Sequence, residues 1–116
     1  MRDLDRIREI IIEASETPSE YDDGLVEFGD RMLPGDEYQL YLMADAGLIE
    51  GRACKNGIFF ITNRGADFYG AILNEGVWEK TKAGASQVGG MTLGMVKDLA
   101  VAYIKKEAAE KLGISF

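Results

Sequence analysis

The sequence predicts an α+β domain of winged helix-turn-helix type, with a short β-hairpin wing and additional C-terminal helices. Three observations carry that expectation. Near the N-terminus Leu4, Ile7, Ile11 and Ala14 recur at helical spacing and would line one face. Further on, two strand-forming runs, Leu48 to Cys54 and Gly57 to Thr62, are separated by Lys55 and Asn56, as in a hairpin. Finally, the elements run helix, strand, helix, hairpin, helices, so that a helix is delivered directly into a two-stranded wing. A plain mixed α+β domain is the alternative.

The first helix is expected over Asp3 to Ala14, and Ser15, Thr17, Pro18 and Ser19 end it, because Pro18 disfavours helical geometry at Thr17. Apolar alternation across Gly24 to Phe28 suggests a short edge strand. Pro34 suits the first turn of the second helix, where its missing N–H would be unpaired anyway; the helix ends near Ala46, with Gly47 as a left-handed cap. In the hairpin, Asn56-Gly57 is the turn signal, although a tight turn could also centre on Lys55-Asn56. Thr62 or Asn63 caps a third helix that runs to about Leu73, with Phe68 and Leu73 inward. Asn74 breaks or bends it, Val77 to Ala83 makes another short helix, and Ala83 to Gly90 reads as a small-residue linker. Thr92 caps a long final helix with the stripe Leu93, Val96, Leu99, Ala100, Tyr103 and Ile104. The organisation expected is a winged-helix domain over 1–83, a glycine-rich linker over 84–91, and a C-terminal helix over 92–116. That helix packs either on the same domain or on a second copy, which would make a homodimer.

At 116 residues the chain fits one domain, and 47% hydrophobic with 28% charged residues is a globular composition rather than a disordered one. Cys54 is the lone cysteine and cannot cross-link its own chain, so nothing calls for an oxidising compartment and a cytoplasmic location is expected. No apolar run approaches the roughly 20 residues that span a bilayer, and Arg2, Asp3, Asp5 and Arg6 do not open a signal peptide; no membrane partner is expected. The formal charge of -7 is unevenly spread. Residues 1–50 carry 14 acidic and 4 basic side chains, residues 51–116 carry 6 acidic and 9 basic. Since Lys and Arg supply much of the affinity for phosphate by displacing counterions, any nucleic-acid contact must favour the second half.

Three stretches carry a family resemblance. Met1-Arg-Asp-Leu-Asp-Arg-Ile-Arg-Glu-Ile is similar to an opening helix, Ala46-Gly-Leu-Ile-Glu-Gly51 to a helix-to-wing junction, and Ile61-Thr-Asn-Arg-Gly-Ala-Asp-Phe-Tyr-Gly-Ala-Ile-Leu followed by Val77-Trp-Glu-Lys-Thr-Lys82 to a post-wing helix and Trp element. Together they resemble a family of uncharacterised phage and prophage proteins, a domain of unknown function akin to winged helices. The resemblance implies a fold and a mobile-element origin, without an activity. The chain departs from the family in having Gln39 where a His often stands in the second helix, and in a shorter wing.

Enzyme chemistry has little to build on. With no His there is no base poised near neutral pH and no imidazole ligand, and Cys54 has no activating partner, so a buried structural role is expected for it. Asp22 with Asp23, and Asp36 with Glu37, lie in no recognisable cation loop and read as solvated acids. Gly84 to Gly90 lacks the Lys and Ser/Thr of a phosphate loop. The expectation is a protein that is not an enzyme and needs no cofactor or metal.

Binding is the remaining class. The second helix carries no Lys or Arg between Asp36 and Ala46, and helical phase sets Leu40, Met43 and Ala44 inward with Glu37, Tyr38, Tyr41 and Asp45 opposite. Tyrosines are enriched at protein interfaces and acids repel phosphates, so that face is expected to bind a host protein, unless the tyrosines pack on a neighbouring element. Imitating DNA phosphates towards a basic surface, such a protein would inhibit host defence or nucleic-acid machinery, as an anti-CRISPR does. The alternative is a transcriptional regulator that contacts double-stranded DNA through its wing, using Arg52, Lys55, Arg64, Lys80 and Lys82. Trp78 reads as core rather than contact residue.

Overall fold

The computed structural model describes residues 1–113 and consists of five α-helices and one small antiparallel sheet. Helix α1 (Leu4–Glu16) starts where Asp3 accepts a hydrogen bond from the Arg6 N–H at 3.0 Å, and it buries Ile7, Ile10, Ile11 and Ala14. It ends at Thr17, whose backbone is extended as the following Pro18 requires. Strand β1 (Leu25–Glu27) and a single 3-10 turn at Gly29–Arg31 lead to α2 (Asp36–Asp45). Pro34 stands outside α2, contrary to the expected first-turn position. Leu33-Pro34-Gly35-Asp36 form a β-turn closed by the Asp36 N–H on the Leu33 carbonyl at 3.0 Å, with Gly35 at φ 92°. Proline followed by a left-handed glycine suits a type II turn, and α2 begins only after it.

Gly47, at φ 77°, ends α2 as expected, and the chain enters the hairpin β2 (Ile49–Ala53) and β3 (Ile58–Ile61). The sheet order is β1-β3-β2, antiparallel throughout, with Val26 opposite Phe59 and Ile49 opposite Ile61. The hairpin is closed by a 3-10 turn at Cys54–Asn56 rather than by a two-residue turn. Gly57 completes it at φ 85°, and a Cβ there would lie 2.8 Å from the Gly29 nitrogen, so only glycine fits.

Thr62 caps α3 (Asn63–Ile72) by accepting from the Gly65 N–H. Phe68 is buried, whereas Leu73 is 46% exposed, which corrects its expected inward position: α3 ends at Ile72, and the 100° step per residue that buries Ile72 turns Leu73 outward. Asn74 caps α4 (Glu75–Gln87), and α4 runs well past Ala83. The glycine-rich linker expected over 84–91 therefore shrinks to the connection that follows Gln87. Gly84 is a helix residue packed against α5 (Leu93–Leu112), where a Cβ would stand 2.8 Å from Leu99 Cδ2. Its missing side chain serves close helix approach rather than linker flexibility. Helix α5, capped by Thr92, packs on α4 and α3, so its apolar stripe folds back onto the domain. Residues 114–116 of the expected C-terminal segment lie outside the described residues.

One core joins these elements. Ile7, Ile10 and Ile11 from α1 meet Phe28, Leu40, Met43, Phe59, Phe68 and Trp78, all at most 1% exposed, with Val96 and Ala100 from α5. Among the described residues no helix is long and apolar enough to cross a membrane.

Candidate functional site

Helix α2 separates two chemistries on one cylinder. Its inner face buries Asp36, Gln39, Leu40 and Met43. Gln39 replaces core packing with a polar latch: its side-chain oxygen accepts from the Asp3 N–H at 2.9 Å and its amide donates to the Met1 carbonyl at 2.8 Å. Asp36 is 1% exposed and takes two hydrogen bonds from Arg6, at 2.9 and 2.7 Å, and one from the Leu33 N–H. This corrects the reading of Asp36 as a solvated acid: it is half of a buried ion pair that ties α2 to α1. The Arg6 hydrogen bonds hold its carboxyl below the ordinary value against the opposing effect of burial.

The outer face carries Glu37, Tyr38, Tyr41 and Asp45, all exposed. Tyr38 and Tyr41 are 47% and 49% exposed, and their rings lie 6.2 Å apart at 25°, stacked on each other and not inserted into the core. Spacing of three residues makes them surface neighbours on the helix. Beside them runs a groove between α2 and the hairpin. One cavity of about 520 Å³ is lined by Gly35, Glu37, Tyr38, Tyr41 and Lys55. A second, of about 470 Å³, shares Glu37, Tyr41 and Lys55 and adds Ala44, Gly51 and Arg52. Glu37 and Lys55 face each other across this groove at 3.7 Å, both well exposed.

Asp45 does not join the group. It lines a different cleft, with Arg2, Leu42 and Thr92 at the start of α5. The five cations are likewise dispersed. Arg52 and Lys55 flank the groove, Arg64 lies over Gly47 at the start of α3, and Lys80 and Lys82 sit on α4, which packs on α3 and α5. Lys82 is engaged by Asp5 at 2.9 Å and by Glu79 at 3.3 Å. Asp5 also accepts the Trp78 indole N–H at 3.0 Å, and these two donors lower its pKa. Trp78 is 1% exposed, a core residue with a satisfied N–H.

Sequence reasoning missed the groove itself, whose small residues Ala44 and Gly51 come from different elements. Asp23, read as a solvated acid, closes its own loop by accepting from Ser19 Oγ and the Leu25 N–H. Cys54 is buried, its thiol pointing at the Gly51 carbonyl, and burial raises its pKa. Among the described residues no group of three or more His, Cys, Asp or Glu side chains is placed to hold a metal.

Comparison with known proteins gives one family-level match. The model of a family described as Hypothetical protein (DUF2513) matches residues 1–92, from the N-terminus to the cap of α5. No curated protein and no solved structure matches the chain.

Proposed function

We propose, for a chain that belongs to the family described as Hypothetical protein (DUF2513), the role of a non-enzymatic winged-helix protein that docks on a host protein through α2 and the adjoining groove. Two features support the winged-helix reading: the sheet order β1-β3-β2, and the passage of α2 through Gly47 straight into the β2–β3 hairpin. In such a domain the helix before the hairpin is the reading element. Here the element preceding it is reduced to the single turn Gly29–Arg31.

The observation that carries the docking reading is the exposed, stacked pair Tyr38–Tyr41. Tyrosine offers a large, rigid contact surface with few rotamers to freeze, which is why it recurs at the energetic centre of protein interfaces. DNA suits this face poorly, because α2 carries no cation with which to release counterions from phosphate. Glu37 faces Lys55 and Asp45 lies in another cleft, so imitation of DNA phosphates drops out of the reading. Occlusion of a surface on host defence or nucleic-acid machinery is the effect we assign to docking.

Immobilised protein exposed to nuclease-treated host lysate is expected to retain a discrete protein that the Tyr38→Ala/Tyr41→Ala variant loses. Retention abolished by the nuclease itself would overturn the proposal. A DNA-binding regulator is the second reading, favoured by Arg52 and Arg64 having no ion-pair partner among the described residues. A low-salt gel shift that weakens steeply with added salt would select it.

A further inference from the structure

We infer that the groove between α2 and the hairpin receives an extended acidic segment of the partner protein, with a carboxylate on Arg52 and Lys55 and an aromatic or apolar side chain on Tyr38 and Tyr41. The inference rests on the docking reading above and gives the docked segment its chemistry.

Shape comes first. The two cavities share Glu37, Tyr41 and Lys55, so they adjoin along α2 and a single extended segment can reach both. Ala44 and Gly51 line the groove, and neither brings a long side chain into it. Gly51 holds φ 140°, a conformation that a residue with Cβ rarely adopts, so this low point is built into the bend of β2. A trough with small residues along it and a tyrosine wall fits an extended chain better than a helix.

Charge then decides the guest. Although residues 1–50 are strongly acidic, the trough is not: it holds one carboxylate, Glu37, against the cations Arg52 and Lys55. Asp36 is withdrawn into its buried pair with Arg6, and Asp45 opens into a different cleft. Glu37 is already answered by Lys55, whereas Arg52 has no carboxylate within ion-pair distance among the described residues. A basic segment would therefore meet two like charges against a single acid. An acidic one meets a free guanidinium, whose planar fork matches a carboxylate in two hydrogen bonds. Lys55 is available as well, since its bond to Glu37 at 3.7 Å is long, exposed and screened, and a guest carboxylate replaces it at little cost. Glu37 is the one repulsive element in the trough, and it favours guests whose acid sits on the hairpin side.

Selection of a random short-peptide display library on the intact protein tests this directly. The expected consensus pairs an aromatic or apolar residue with Asp or Glu. A synthetic peptide of that consensus is expected to bind roughly tenfold more weakly to Arg52→Ala, and several-fold more tightly to Glu37→Gln, which frees Lys55. A basic consensus, or no enrichment at all, overturns the inference, as does equal binding to wild type and Arg52→Ala. Competition for the peptide by a DNA duplex would assign the cations to nucleic acid and overturn it too. Capture of a lysate protein that depends on Tyr38 and Tyr41 but is indifferent to Arg52→Glu would leave the docking reading standing while this inference fails.

Discussion

Arg6 and Asp36 are the residues on which the placement of α2 turns. Their side chains are 15% and 1% exposed, and removing Arg6 leaves the buried Asp36 carboxylate with only the Leu33 N–H to answer it. Arg6→Ala is expected to lower stability by about 3–5 kcal/mol, read from the urea midpoint. The same pair sets the acid limb of stability. Arg6 lowers the folded-state pKa of Asp36, so the folded chain holds that proton less tightly than the unfolded chain. Its contribution is complete above the unfolded value of about 3.9 and is lost as pH falls through the lower folded value. Urea midpoints are expected to fall across that acid window in the wild type; in Arg6→Ala, where burial of the Asp36 carboxyl is no longer opposed by Arg6, the loss on acidification from this group is expected to shrink or reverse. Gly65 is as exacting. A Cβ there would stand 2.1 Å from the Leu48 carbonyl oxygen, a backbone atom that cannot yield cheaply. Gly65→Ala should therefore lose about 1–3 kcal/mol despite the better helix propensity of alanine, measured by the same denaturation.

Elements were legible in the sequence where their signals are local. Thr62 and Thr92 cap helices because a hydroxyl reaches the N–H three residues on, and the helical spacing of Ile7, Ile11 and Ala14 is visible in any window that contains them. The first strand is legible from its alternation and the hairpin from two strand-forming runs around Asn56-Gly57, each end falling one residue inside the expected bound. What was not legible depends on partners far along the chain. Arg6 and Asp36 are 30 residues apart, and Asp5 and Trp78 are 73 apart, so neither pairing has a sequence signal. Gly84 misled for the same reason: among Ala83, Ala85 and Ser86 it looks like a linker, and only Leu99 and Tyr103 on α5 explain it. The distinction is testable. Gly84→Pro, inside α4, is expected to cost about 3 kcal/mol or more by breaking a helical hydrogen bond. Gly89→Pro, in the connection to α5, is expected to stay within about 1 kcal/mol, because Val88 before it is already extended. Equal effects in thermal unfolding would restore the linker.

For the molecule as a whole, a net charge of -7 gives no guide to what the groove prefers. The acidic first half spends Asp3 on a helix cap, Asp5 and Asp36 on ties between helices, and Asp23 on a loop. The basic second half supplies Arg52 and Lys55 beside the tyrosines. Sequence reasoning treated the α2 face and the hairpin cations as rival sites for protein and DNA. Folding sets Tyr38, Tyr41, Arg52 and Lys55 around two adjoining cavities that share Tyr41 and Lys55, which is the ground on which we propose one partner for them. The most direct test is the affinity of a captured partner for wild-type protein, Tyr38→Ala and Tyr41→Ala, measured by titration calorimetry on folded, nuclease-treated samples. Each truncation is expected to weaken binding roughly tenfold or more, as at the centre of a protein interface. Unchanged affinity in both variants would contradict docking through α2.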